Sequence, residues 1–197
     1  MTQLLSVSLI SQRDPRWADI LLGRSGRTIG SHGCAIACLS MLGSYSQHAE
    51  PDSLCTVNKM LLSVGGYYSQ NLLRWGIAHM LFPRLRYVGR IDIGANRPAR
   101  SDEMFEITNR LDHGQPVIVY VDTSQAEPGL QQHFVIATGF DPDRNALTIH
   151  DPWHGDSGFI APRYGRNTQE AVCGIILYDL LDDTPPRTFP ALRPRHV

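Results

Sequence analysis

Cys34 lies at an abrupt change of composition. The stretch GSHGCAIACLSMLGSY, residues 30–45, begins with small and polar residues and becomes strongly apolar from Cys34 onward. This pattern predicts that Cys34 begins a buried helix capped by Ser31. The helix dipole and the unpaired N–H groups of the first turn favour a thiolate, and the same groups could bind an oxyanion. Cys34 is a candidate nucleophile, although a small apolar residue at the start of a buried helix would give the same pattern.

His133 and Asp151 are the candidate partners of Cys34, because a nucleophilic cysteine needs a base and a group that orients the base. His133 opens the run HFVIATGFD, and Asp151 ends the run LTIHD. If the turn sequence DPDRN, residues 141–145, joins these runs as a hairpin, both side chains lie near one end of neighbouring strands. Taken singly, His133 also fits a half-buried histidine bonded to backbone, and Asp151 fits a turn residue before Pro152.

Gln12, in the segment SQRDPRW, is a candidate donor to a developing oxyanion. A neutral amide stabilises negative charge without exchanging protons. A solvent-exposed glutamine in a loop is the simpler interpretation of Gln12 taken alone.

Several other residues with chemical potential have structural interpretations. His150, His154 and Asp156 could form a metal site with His133, but their spacing fits a turn and not one helix face. Three further residues could border a substrate groove: His32, Trp17 and Trp153. The simpler interpretation is that His32 faces solvent and that the two tryptophans are packing residues. The remaining cysteines are expected to be structural: Cys38, Cys55 and Cys173.

Hydrophobic periodicity predicts a mainly helical first half and a mainly extended second half. The predicted helices cover 34–43, with Gly43 near the end, then a segment from Pro51–Asp52 to Gly65–Gly66, then 69–81 and 101–113. The predicted strands cover 116–122, 133–141, 146–151 and 173–180. This order indicates an α+β fold in which an antiparallel sheet packs against the Cys34 helix.

Composition sets few limits on function. The chain has 197 residues, a formal charge of −1 and 19% charged residues, which gives it no basic excess for nucleic-acid binding. We expect one domain over residues 1–183. The tail TPPRTFPALRPRHV, residues 184–197, is expected to be mobile or to dock a protein partner.

The N-terminal segment and the hydropathy pattern bear on location. MTQLLSVSLISQRD has no basic region followed by an apolar stretch, and no run of about 18 apolar residues occurs in the sequence. We therefore expect no signal peptide, no transmembrane segment and no membrane partner. The corresponding location is cytoplasmic or phage-associated.

Six pieces of the sequence, in order, resemble the C39-like branch of the papain-type cysteine peptidases. They are SQRDPRWA, LGRSGRTIGSHGCAIACLSML, VNKMLLSVGGYYSQNLLRWG, GQPVIVYVD, HFVIATGFD and LTIHDPW, and they span about residues 10–153. The resemblance implies a papain-like α+β fold with the nucleophile at the N-terminus of a central helix. It also implies Cys34 as nucleophile, His133 as general base and acid, Asp151 as orienting residue and Gln12 as oxyanion donor.

The resemblance implies hydrolysis of an amide bond, with no metal or organic cofactor. It leaves open whether that bond belongs to a peptide, a peptidoglycan cross-link or another amide. Transfer of the acyl group to an amine would use the same residues. The alternative is a non-catalytic binding or structural module that keeps the peptidase fold, for example in a phage particle or a secretion complex.

Overall fold

The structure is a computed structural model that describes residues 4–124, 127 and 129–181. The predicted tail, residues 184–197, lies outside these residues. The helices are α1 (Ile29–His32), α2 (Cys34–Gln47), α3 (Leu54–Ser63), a 3-10 helix (Trp75–Met80), α4 (Ser101–Asp112) and α5 (Thr168–Ala171). The strands are β1 (Tyr67–Tyr68), β2 (Leu72–Leu73), β3 (Leu85–Asp92), β4 (Val117–Asp122), β5 (Gln132–Asp141), β6 (Ala146–Asp151), β7 (Asp156–Phe159) and β8 (Gly174–Leu180).

Six strands form an antiparallel sheet in the order β3-β8-β4-β5-β6-β7. The strands β5 and β6 are joined by the turn after Asp141, in which Asn145 has a positive φ of 49°. This confirms the hairpin predicted from DPDRN. The mixture of helices and antiparallel strands agrees with the predicted α+β class.

Helix α2 is buried along most of its length and packs on β5 and β4. Its predicted boundaries are wrong at the C-terminal end, because the helix continues through Gly43 to Gln47 and closes at His48 in the left-handed conformation. The predicted cap is also wrong. Ser31 belongs to the short preceding helix α1, where it forms a capping box with Thr28, and Gly33 is the N-cap of α2.

Gly43 lies within α2, and the side chain of Phe82 occupies the space that a side chain at position 43 would need. A Cβ atom at this position would lie 2.4 Å from the Phe82 ring. The glycine therefore reflects close packing between the helix and the segment before β3, and not the end of a helix.

The helix predicted over residues 69–81 is wrong. Ser69 and Gln70 have positive φ angles of 49° and 71°, so the chain turns there and pairs Tyr68 with Leu72 in the hairpin β1–β2. Only the stretch from Trp75 onward is helical, as a 3-10 helix. Tertiary contacts of the turn, including a hydrogen bond from Arg24 N–H to the Gln70 carbonyl, override the helical spacing of the apolar residues.

The other predicted elements are confirmed within a few residues. Besides α1 and the hairpin β1–β2, three described elements were not predicted: β3, β7 and α5. Because β3 lies in the first half of the chain, that half is less helical than expected. The strand β3 pairs with β8 at the edge of the sheet, and after the buried Leu85 its residues alternate between exposed and partly buried. Within the described ranges, no helix has the length and apolar character needed to cross a membrane.

The packing of Gly43 against Phe82 predicts that Gly43→Ala lowers the free energy of unfolding by about 1 kcal/mol. Overpacking typically costs about 1–3 kcal/mol and here opposes the gain of about 1 kcal/mol that alanine brings to a helix. Urea unfolding followed by circular dichroism measures the change. The control is Gly26→Ala, because no atom of the described residues lies within 4 Å of the added carbon there. Unchanged or higher stability of Gly43→Ala would contradict this packing argument.

Candidate active site

The four candidate site residues come together at one cleft. Cys34 is the first residue of α2, His133 is the second residue of β5, and Asp151 is the last residue of β6. The thiol-bearing residue and the histidine line the cleft together with Gln12, and Asp151 is fully buried behind them. Cys34 itself is partly exposed.

His133 and Asp151 form a direct side-chain contact, with 2.9 Å between Nε2 and Oδ1. The sheet register explains the contact. Ile136 pairs with His150, so Asp151 lies opposite Val135 and diagonally across from His133 on the same face. Both residues are buried, which removes competing water from the hydrogen bond.

The His133 imidazole also interacts with the Cys34 side chain, which lines the same cleft. Burial disfavours a charged imidazolium, but the hydrogen bonds with Asp151 and Cys34 outweigh burial and raise the pKa of His133 to about 9. A protonated His133 at neutral pH suits a neighbouring thiolate. The contacts form a chain from thiol to imidazole to carboxylate.

The Asp151 carboxylate receives several donors besides His133. The Tyr164 hydroxyl and Arg163 Nη1, at 3.1 Å, donate to Oδ2, and Trp153 N–H donates to Oδ1 at 3.0 Å. Burial alone would raise the pKa of Asp151, but the hydrogen bonds from His133 and Tyr164 hold it below its ordinary value. The carboxylate is therefore charged and held in one orientation at neutral pH.

Gln12 connects the two sides of the site. Its backbone N–H donates to the Pro152 carbonyl at 2.8 Å, next to Asp151, and its side-chain Nε2 donates to the Gly30 carbonyl at 3.0 Å, just before α2. The side chain is buried, and its Oε1 has no hydrogen-bond partner among the described residues. Gln12 is thus not the solvent-exposed loop residue of the simpler interpretation.

The first turn of α2 faces the same region. The earliest helical hydrogen bond there runs from Ala37 N–H to the Gly33 carbonyl, at 3.0 Å. The N–H groups of Cys34 and the residues directly after it belong to the turn that has no intrahelical acceptors. Together with the Gln12 amide, they are candidate donors to an oxyanion.

The cleft has a volume of about 830 Å³ and combines an apolar wall with cationic groups. The apolar and aromatic lining residues are Tyr68, Leu72, Leu73, Trp75, Phe134 and Trp153. The hairpin β1–β2 supplies three of these. Of the two tryptophans considered in the sequence, Trp153 lines the cleft under the guanidinium of Arg13, whereas Trp17 is buried in the core.

The other candidate groups occupy structural or peripheral positions. Burial raises the pKa of the Cys38 thiol well above its ordinary value, which keeps that thiol protonated. His150 contacts the Val7 carbonyl and the Ser157 hydroxyl with its two ring nitrogens. His32 lines the cleft while remaining exposed. Within the described ranges, no three His, Cys, Asp or Glu side chains are grouped as metal ligands.

A comparison with protein families agrees with this arrangement. The model of the Peptidase_C39-like family matches residues 4–172, which include all four candidate residues. The chain belongs to the Peptidase_C39-like family. This membership confirms the resemblance found in the sequence and indicates a function related to the cysteine peptidases. No curated protein matches the chain.

Two residues that hold Asp151 were not found from the sequence of this Peptidase_C39-like protein. Arg163 and Tyr164 follow Asp151 by twelve and thirteen residues, in a segment without periodic pattern. Their contact with the carboxylate depends on the path of the chain after β7, which local sequence does not reveal. Arg163 also forms a two-bond ion pair with Asp156, at 2.7 and 3.0 Å, which fixes its guanidinium.

The contacts of His133 predict that its imidazole titrates near pH 9 and carries charge at neutral pH. The Asp151→Asn substitution removes the carboxylate that stabilises the charged imidazole. Burial then lowers the pKa of His133 toward or below the ordinary histidine value of about 6.5. The ¹H–¹³C NMR signal of the imidazole Cε1, assigned by its loss in His133→Gln, measures both values. The control is Asp156→Asn, which removes a carboxylate that contacts Arg163 and not His133. An unchanged His133 titration in Asp151→Asn would contradict the role of this contact.

Proposed function

We propose that this chain is a cysteine peptidase or amidase that cleaves an amide bond by forming a thioester on Cys34. The observation that carries the proposal is that a partly exposed thiol and His133 line one cleft, and that His133 is held by the buried Asp151. We also propose that the fold is papain-like, with the nucleophile at the N-terminus of a buried helix beside an antiparallel sheet. Membership of the Peptidase_C39-like family supports both parts.

In the proposed reaction, His133 and Cys34 begin as an imidazolium and a thiolate. The thiolate attacks the carbonyl carbon of the amide, and the carbonyl oxygen becomes an oxyanion. The second N–H of the Gln12 amide and the backbone N–H of Cys34 stabilise this charge. The imidazolium then gives its proton to the leaving nitrogen as the C–N bond breaks, which leaves a thioester and a free amine.

Neutral His133 next removes a proton from water, and the resulting hydroxide attacks the thioester. The C–S bond breaks, the carboxylic acid leaves, and the thiolate–imidazolium pair is restored. Asp151 does not take the proton in this scheme. Its charge keeps the imidazole in the orientation that serves both steps, because its other donors prevent it from rotating.

The proposal is tested by offering the protein two mixtures: peptides from a digested cell lysate, and muropeptides released from cell walls. Mass spectrometry identifies new amino termini. We expect cleavage in one mixture with the wild-type protein and none with Cys34→Ala. The control Cys55→Ala, which changes another partly buried free thiol, should retain cleavage. Cleavage that survives in Cys34→Ala, or intact mixtures with wild type, would contradict the proposal.

The same assay tests the oxyanion donor. Gln12→Ala should lower the cleavage rate by about 10²–10³-fold, the effect typical of removing one oxyanion donor. The matched control is Gln132→Ala, which removes another glutamine from the lining of the cleft. Equal rates for the two variants would contradict the role of Gln12.

A further inference from the structure

Arg90 on the edge strand β3 lines the same cleft as Cys34 and His133. Its guanidinium carbon lies 4.8 Å from the ring centroid of Tyr120, and its Nε donates to Asp92 Oδ1 at 2.5 Å. The Tyr120 hydroxyl donates to the same oxygen at 2.5 Å. Arg90 is therefore held in place on two sides, by an aromatic ring and by a carboxylate.

A glycine makes this arrangement feasible. Tyr120 lies on β4, and β8 separates β4 from the strand that carries Asp92. In the intervening strand, Gly174 pairs with both Tyr120 and Asp92. A Cβ atom at Gly174 would lie only 2.0 Å from the Tyr120 ring, so the absence of a side chain lets the ring cross β8 and reach Asp92.

The terminal amino groups of Arg90 carry four N–H donors beyond the Nε that Asp92 accepts from. Within the part of the chain that the structure describes, the side-chain partners of Arg90 are Asp92 and Tyr120. Asp92 accepts from Nε, and the Tyr120 ring packs against the face of the guanidinium. The edge formed by the two terminal amino groups therefore remains open to an acceptor from a bound molecule. Two parallel N–H groups in this geometry match the two oxygens of a carboxylate.

The charge of the cleft favours an anionic ligand. Among the described residues, its ionisable lining side chains are two arginines, three histidines, Tyr68, Tyr164 and Cys34, with no aspartate or glutamate. Arg163 is already paired with Asp151 and Asp156. Arg90 is therefore the lining arginine whose fork can receive an external carboxylate, although the chain as a whole has a formal charge of −1.

We propose that Arg90 forms a subsite for a carboxylate of the substrate, so that the cleft selects an acidic peptide segment. This inference rests on the proposed function, because it assigns the substrate class of the same cleft. By the sheet register, Arg90 lies on the face of the sheet that carries Tyr120 and Phe134. The aromatic pair Trp75 and Phe134, with 5.2 Å between ring centroids, lines the same cleft.

The test measures binding and not cleavage, so its result does not depend on whether the protein is an active peptidase. The protein carries Cys34→Ala. The probes are two rhodamine-labelled decapeptide pools, blocked at both ends and otherwise uncharged, with a single Glu in one pool and Gln at the same positions in the other. Fluorescence anisotropy should show about fivefold to tenfold tighter binding of the Glu pool, as expected from one charge-assisted pair in a partly hydrated cleft.

Two variants in this background locate the effect. Arg90→Gln should bind both pools equally, whereas the control Arg86→Gln should keep the preference, because Arg86 pairs with Asp179 and is not among the described lining residues. A preference that survives Arg90→Gln, equal binding of the pools before substitution, or no binding at millimolar peptide would overturn the proposal.

A gain-of-binding variant guards against loss of folding in Arg90→Gln. Asp92 is largely exposed, and its replacement by asparagine keeps an oxygen acceptor while removing the competing charge. Asp92→Asn should therefore increase the preference for the Glu pool by about twofold or more. A decreased or unchanged preference in a variant with wild-type melting temperature would contradict the subsite.

Discussion

The buried carboxylate of Asp151 is the group on which the site depends. A charge with no solvent exposure is strongly destabilising unless donors surround it. The donors come from separate parts of the chain: His133 on β5, the backbone after β6, and the pair Arg163 and Tyr164 beyond β7. Satisfying one carboxylate therefore fixes the relative positions of three segments, and the imidazole that faces Cys34 is oriented as part of the same network.

The position of Cys34 follows from a second set of constraints. Its helix is apolar on nearly all sides and is buried against β5 and β4, so the helix cannot move without exposing its surface. At its N-terminus, Gln12 bonds both to the Gly30 carbonyl before the helix and to the Pro152 carbonyl after Asp151. One glutamine thereby ties the start of the nucleophile helix to the loop that follows the carboxylate.

The parts of the fold that could be predicted are those determined by local pattern. The β-branched runs over β4, β5, β6 and β8 and the DPDRN turn identified the central strands, and their register then brought His133 to Asp151. Local pattern failed at residues 69–81, where left-handed turn residues override helical spacing, and at the strand β3, whose polar alternation resembles a loop. Arg90, Arg163 and Tyr164 could not be assigned from sequence, because their roles arise from contacts with residues on other elements.

Catalysis by Cys34 depends most on its pairing with the His133 imidazole, and alkylation of each cysteine by iodoacetamide tests this pairing directly. Rates are measured against pH in the wild-type protein and in His133→Ala, with the modified residues located by mass spectrometry and Cys55 as the internal reference. We expect Cys34 alone to react rapidly well below pH 8 and to lose this reactivity in His133→Ala. Ordinary or slow alkylation of Cys34 in both proteins would contradict a catalytic thiol and favour a binding or structural module.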